Sequence, residues 1–383
     1  MVAPIDITFL GTGSAQPSST RNHQAIALRL NGDIWLFDCG EATQHQFQKS
    51  KLKMGKITHV FITHMHGDHC FGLAPLLCSM TDNLNPNKDE TKQDERPIEI
   101  YGPRPLRSWL RQTLKSTYAN LGRRYRVHEL VDEGEPRDET SDFHPDELEG
   151  HTIWAVDGRF ETLPCCEPYE VRAASIEHSI PSLGYVVREP DHPGKLDHLV
   201  PLLKAQSAAL IRQGVQQPMR ILGEIQKTNK AYVLPNGQVL QPPAMRPGRQ
   251  IVLLGDTCDP SRLAPLCHQP TLLVHEATNA LTRLDPAEST MAAIEARTKD
   301  HGHSTPQMAA TFAKRIGCKT LILTHFSARY PGDEQPESLA IMEDIRRWAV
   351  QTLDGRDGDV YCARDLWSFE IKLDSPLGYD ETQ

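Results

Sequence analysis

Four residues able to bind a metal stand close together in Thr63-His64-Met65-His66-Gly67-Asp68-His69, directly after the apolar run His59-Val60-Phe61-Ile62. Alternate side chains of an extended segment point the same way, so His64 and His66 can share one cation, while a turn at Gly67 swings Asp68 and His69 toward a second. Two divalent ions need further ligands, and other apolar strands end at suitable ones: His178 in Ile176-Glu177-His178, Asp256 in Leu254-Gly255-Asp256 and His325 in Leu323-Thr324-His325. Geometry and charge divide them. His64, His66 and His178 would hold one ion, Asp68, His69 and His325 the other, and Asp256 would bridge, because a carboxylate has two oxygens and offsets two crowded cations. Imidazole with carboxylate favours two Zn²⁺ per subunit, although the same set accepts Mn²⁺ or Fe²⁺.

Two such ions about 3.5–4 Å apart share a hydroxide, since binding lowers the pKa of water from about 15.7 to about 7. The expected chemistry is therefore hydrolysis without a serine or cysteine nucleophile, and no Gly-x-Ser-x-Gly elbow occurs. Asp38, closing Trp35-Leu36-Phe37-Asp38, is placed to accept a ligand imidazole N–H and fix its tautomer. Glu276 could orient a nearby histidine as an imidazolium that protonates the leaving oxygen. His301 and His303 both stand near Thr305-Pro306, a helix start with Thr as cap and Pro in first position, and spacing does not choose between them.

The elements that must position these residues read as strand-rich α/β. Alternating Ile5–Leu10 is followed by a hairpin over 24–30 and 33–38 around Asn31-Gly32, a helix from Glu41, the strand before the histidines and an apolar helix through Phe71–Leu77. After Arg249 come strands at 250–254, 271–274 and 320–323, with a helix from Thr305 and a stop at Gly317 between the last two. Strands that each end in a His or an acid deliver those side chains to one rim of a layered fold.

Residues 82–96 and the acidic 132–151 read as surface insertions without core. A basic helical segment, Arg104 to Arg126, suits either a solvated face or phosphate contact. Residues 190–245, with scattered Lys and Arg and a helix near 199–211, read as a linker or protruding arm within one hydrolase domain spanning 1–383.

With 39% hydrophobic and 24% charged residues, the 383-residue chain has the composition of a globular protein. No apolar run approaches a membrane span and no signal segment opens the chain, so a cytoplasmic location without membrane attachment is expected. Nine cysteines, without framework spacing or a Cys-x-x-Cys pair, fit reduced thiols. A formal charge of −9 argues against a uniformly basic nucleic-acid binder and leaves a local basic face open.

These residues together resemble the metallo-β-lactamase superfamily, and more closely its short-form tRNase Z family. The resemblance runs through Phe9-Leu10-Gly11-Thr12-Gly13, Pro17 to Asn22, Trp35 to Gln44, Phe61 to His69, Leu254-Gly255-Asp256-Thr257, His275-Glu276-Ala277-Thr278, His303-Ser304-Thr305 and Thr324 to Tyr330. The histidine cluster alone marks the superfamily; the His-Glu-Ala-Thr, His-Ser-Thr and Ser-Ala-Arg-Tyr runs make the narrower match. The resemblance implies an αββα sandwich, an endoribonuclease removing the 3′ trailer of precursor tRNA after the discriminator nucleotide, and a homodimer whose arm at 190–245 grips tRNA. It implies catalytic roles for Asp68, Glu276 and His303, and it selects His303 over His301. It also implies substrate contacts by Arg21 and Asn22 in the 17–22 loop and by Ser327 and Arg329. Ser19 departs from the basic residue often found in that loop, and residues 190–245 lack the glycine-proline-rich hand usual on the arm. The alternatives are a small-molecule ester, thioester or phosphodiester hydrolase of the same fold, and a metal-free nucleic-acid-binding relative.

Overall fold

Strands that are apolar at every position need cover on both faces, and here they have it. In Gln250–Leu254, Ile251 and Leu253 enter one apolar cluster while Val252 and Leu254 enter another. Leu272–Glu276 and Thr320–Thr324 divide likewise, with Val274 and Ile322 on the first side and Leu273, Leu321 and Leu323 on the second.

The computed structural model describes residues 4–80, 96–135 and 142–373. Among these residues, a nine-stranded sheet runs in the order Ser368–Ile371, Ile5–Gly11, Ala25–Leu30, Asp33–Phe37, Ile57–Phe61, Ile98–Pro103 and Tyr125–Val131, with Glu147–Leu148 and Thr152–Trp154 both paired to the last. A seven-stranded sheet runs Arg159–Phe160, Glu170–Ile176, Ser182–Arg188, Gln250–Leu254, Leu272–Glu276, Thr320–Thr324 and Val360–Cys362. Each sheet is antiparallel in its first part and parallel in its second. The hairpin of Ala25–Leu30 with Asp33–Phe37 turns at Asn31 and Gly32, whose φ values of 50° and 91° are those a two-residue turn of this twist requires.

The sheets pack face to face through Phe37, Phe61 and Tyr185, with ring centroids 4.7 Å apart for the first pair and 5.3 Å for the second. Each such side chain withdrawn from water contributes about 2–3 kcal/mol. Helices Leu73–Ser79 and Leu106–Ser116 cover the outer face of the first sheet, and Pro306–Arg315 and Pro336–Thr352 that of the second. The layering is helix, sheet, sheet, helix. Thr305 caps Pro306–Arg315 by accepting from the Met308 amide, which fixes the segment carrying His303.

Residues Glu189–Arg249 form a separate compact unit. Helices Val200–Arg212 and Arg220–Thr228 and the small hairpin Tyr232–Val233 with Val239–Leu240 enclose their own cluster of Leu199, Leu203, Leu210, Ile221, Ile225 and Leu240. Its two ends are tied by Arg249, whose Nε donates to Glu189 Oε2 at 2.7 Å.

Two expectations change. Residues 82–95 of the 82–96 insertion, and 136–141 of the 132–151 insertion, lie outside the described residues, but 142–151 is not a mere surface loop. Glu147 is buried in a strand of the first sheet and takes both Nε and Nη2 of Arg111 at 2.8 Å. Part of this basic helix is spent within the fold, where Arg107 donates to Val127 O and His151 O, while Lys115 meets exposed Asp142 at the surface. Arg107 and Arg111 are held by partners of the fold, and Lys115 lies on the solvated face. Among the described residues no helix is long and apolar enough to cross a membrane.

Candidate metal centre and active site

Six strands run into the rim where the expected ligands lie. Asp38 follows Asp33–Phe37, Thr63 and His64 follow Ile57–Phe61, His178 follows Glu170–Ile176, Asp256 follows Gln250–Leu254, Glu276 ends Leu272–Glu276, and His325 follows Thr320–Thr324. Asp38 and His325 both sit in the left-handed backbone region, at φ 59° and 54°, a conformation that costs free energy in a residue with a Cβ and clusters at functional sites.

The residues form two adjoining donor groups. His64 Nε2 lies 3.1 Å from His66 Nδ1, which lies 3.3 Å from His178 Nε2. His69 Nε2 lies 3.0 Å from His325 Nε2, and Asp68 Oδ2 is 3.4 Å from the latter. Asp256 stands between the groups. Its Oδ2 faces His64 Nε2 at 3.7 Å, and its Oδ1 faces His69 and His325 at 3.5 and 3.3 Å, one oxygen toward each set.

The outer nitrogens explain which atoms are left to bind. His178 Nδ1–H donates to the carbonyl of Gly302 at 2.8 Å, so Nε2 carries the free lone pair. Gly302 has φ 77°, and a Cβ there would stand 2.8 Å from that same Nδ1. His69 Nδ1 donates to Asp38 Oδ2 at 2.8 Å. Asp38 also accepts from the Thr63 amide and hydroxyl, and that hydroxyl is 3.0 Å from His64 Nδ1. Thr278 repeats the device: its hydroxyl donates to Glu276 and faces His325 Nδ1 at 3.1 Å. In each case Nδ1–H is committed outward and Nε2 turns in.

Burial lowers the basicity of His64, His66 and His178, most strongly at His64, where neighbouring imidazoles add to it. Burial pushes Asp256 and Asp68 up, yet the surrounding imidazoles, His325 and His69 foremost, hold both below the usual carboxylate range. Three neutral nitrogens pointing at one another, beside ionised carboxylates, have no proton to share and suit a cation. The donor set fits a metal. Glu99, His128 and Cys165 also lie together, but His128 donates to Glu99 and accepts from the His151 amide, which uses both ring nitrogens.

Beside the donors lies His303, with Nδ1 3.1 and 3.2 Å from the two carboxylate oxygens of buried Glu276. Glu276 is held by the Thr257 amide and the Thr278 hydroxyl. Burial disfavours the charged imidazole, but Glu276 and then Asp256 raise it to about 9. His303 lines an open cleft of about 510 Å³ together with His66, Asp68 and Asp256. His301 instead donates from Nδ1 to Arg297 O on the exposed end of its own helix.

Over 96% of its length the chain is 42% identical to "Zinc phosphodiesterase ELAC protein 1" of Bos taurus, covering 99% of that protein. It also matches the crystal structure of human tRNase Z, short form, at 34% identity, with 96% of this chain and 99% of that one covered and a TM-score of 0.61. The chain belongs to the tRNase Z family. A family model described as Anti-Pycsar protein Apyc1 matches residues 5–148, a stretch that holds the first four expected ligands and stops short of His178, Asp256, Glu276, His303 and His325. The metallo-β-lactamase fold protein YhfI of Bacillus subtilis, 14% identical with 96% of this chain and all of that one covered at a TM-score of 0.55, shares the fold. The αββα layers are those of the metallo-β-lactamase fold.

The expected substrate contacts fare unevenly. Arg21 is buried, with its guanidinium donating to Thr12 Oγ1 at 2.6 Å, Tyr330 O at 2.8 Å, Pro331 O at 3.1 Å and Ala363 O at 3.2 Å. That corrects the expectation that it meets substrate: it anchors the 17–22 loop to the fold. Asn22 donates its side-chain amide to Glu41 O, Ser327 pairs beside Ser14 in a short strand, and Arg329 is exposed and paired with Asp285. Gly67 also plays a different part. It has no positive φ; rather, a Cβ there would stand 2.3 Å from the Phe71 ring. Thr63, Thr278 and the Gly302 carbonyl were not anticipated, and the one local signal for them is a threonine beside a ligand or beside Glu276.

Proposed function

We propose that the chain is a zinc-dependent endoribonuclease that removes the 3′ trailer from precursor tRNA, cutting after the discriminator nucleotide and leaving a tRNA 3′-hydroxyl. The observation that carries this reading is the Asp256 carboxylate with one oxygen toward each of two donor groups. The names of the relatives, a zinc phosphodiesterase and a tRNase Z, supply the metal and the substrate.

In this reading His64, His66 and His178 would hold one Zn²⁺, Asp68, His69 and His325 would hold the other, and Asp256 would serve both. Bound zinc would lower the pKa of water to about 7 and offset charge developing on the phosphate. Asp68 acts from the cleft wall, where the Ala15 amide donates to its Oδ2 at 2.7 Å, and takes up the proton of the attacking water. His303, with Nδ1–H on Glu276, keeps a proton on Nε2 at neutral pH and gives it to the departing 3′ oxygen of the discriminator nucleotide, while the phosphate stays on the 5′ end of the trailer. Asn22, Ser327 and Arg329 contact RNA near the cleft, the Glu189–Arg249 unit grips the tRNA body, and the enzyme works as a cytoplasmic homodimer.

Incubating the zinc-loaded protein with end-labelled precursor tRNA and mapping the product tests the reading. A tRNA ending in a 3′-hydroxyl after the discriminator supports it. A 2′,3′-cyclic phosphate, or no cleavage beside rapid turnover of small esters, overturns it.

A further inference from the structure

Two residues of the cleft have no part in the chemistry above and are both ill-suited to an empty surface. Phe71 is 61% exposed although it directly follows the metal-binding turn. Its ring lies over Gly67, so close that a methyl group there would collide, which seats it firmly and leaves the rest of the ring bare. His23 is the converse. It is buried, it lines the same cleft, and among the described residues neither of its ring nitrogens has a hydrogen-bond partner. An imidazole always carries at least one donor, and leaving it unmet in the interior costs free energy.

A flat aromatic face, unsatisfied polar atoms and a phosphodiester-cleaving centre in one cleft of about 510 Å³ match the parts of a nucleotide. An unstacked RNA base offers a π-face to an aromatic side chain and a donor–acceptor edge to polar groups. We infer that the cleft holds a nucleobase subsite, in which a base flanking the scissile phosphate stacks on Phe71 with its edge turned to His23. The inference rests on the RNA-cleaving reading and deepens it. The phosphate would then lie at the His66–Asp68–Asp256 end and the base at the Phe71 end.

The test uses zinc-loaded wild-type enzyme, Phe71→Leu, Phe71→Tyr and His23→Ala on intact precursor tRNA and on precursors with an abasic ribose on either side of the cut. Equal zinc content in all four proteins verifies the fold. Removing the base at one of the two positions should lower wild-type kcat/KM on the order of 10- to 100-fold. Phe71→Leu should lose a similar factor on intact precursor and nothing more on the abasic one, while Phe71→Tyr stays near wild type. His23→Ala should reorder the preference among the four bases at that position. Full activity of Phe71→Leu, or losses from Phe71→Leu and the abasic ribose that multiply, overturns the subsite, and an unchanged base ranking removes His23 from it. Wild-type enzyme that cuts no precursor at all overturns the proposed function, and the subsite with it.

Discussion

The hydroxyl of Thr278 lies 3.1 Å from Nδ1 of His325 while donating its own proton to Glu276, so one neutral residue couples an imidazole of the donor set to the carboxylate that holds His303. Thr63 stands in the same relation to His64 and Asp38. Thr278→Val should therefore weaken zinc binding and activity together by about 10- to 100-fold, and Thr278→Ser should restore both. Zinc titration of the apoprotein measures the first and single-turnover cleavage the second.

Removing a ligand should act more severely. His66→Ala and Asp256→Ala are expected to bind less than the full complement of zinc and to lose activity, and a chelator should do the same to the wild type, reversibly on adding Zn²⁺. Elemental analysis beside rate measurement checks this. Full occupancy at full rate in His66→Ala would exclude the ligand assignment.

His303→Ala should keep its zinc and slow cleavage by roughly 10²- to 10⁴-fold, the range of a lost general acid. A substrate with a leaving group that needs no proton should be cut at close to the wild-type rate. Equal losses on both substrates would assign His303 a structural role.

Arg21→Ala should destabilise the fold by about 3 kcal/mol, because several buried acceptors lose a charged donor. A denaturation midpoint reads this directly. If Arg21 served substrate instead, stability would hold and only KM would rise.

The expected ligand side chains were legible because their types are rare and their places regular. Apolar strands such as Gln250–Leu254 and Thr320–Thr324 announce their ends, and Asp256 and His325 stand just beyond them. Thr63 and Thr278 were not legible, since a threonine at a strand end is ordinary until the fold sets a carboxylate on one side and an imidazole on the other. Arg21 was misread for the reverse reason. The family resemblance implies a substrate contact for it, and only tertiary packing under Tyr330 and Ala363 turns it inward. The same holds for Arg111, whose partner Glu147 lies 36 residues away in a segment that reads as acidic loop.

In the Glu189–Arg249 unit, burial pushes the Glu189 carboxyl up, but hydrogen bonds from Arg249, with His192 Nε2 2.9 Å away, prevail and hold it below its ordinary value of 4.5. A depressed carboxylate stabilises above the unfolded value and ceases to do so as pH falls through the folded one. Amides of Val200–Arg212 should thus lose protection below pH 4.5, after correction for intrinsic exchange. Glu189→Gln should show lower protection at neutral pH and little change on acidification.

Arg188 and Gln250 are register partners on adjacent antiparallel strands, so the chain departs for the Glu189–Arg249 unit and returns at neighbouring rungs of one ladder. A short turn could close that ladder. Nothing in the register of the strands leading to Asp256 depends on what is strung between those two rungs. The excursion can therefore differ in length or sequence while the strand that delivers Asp256 to the rim keeps its place.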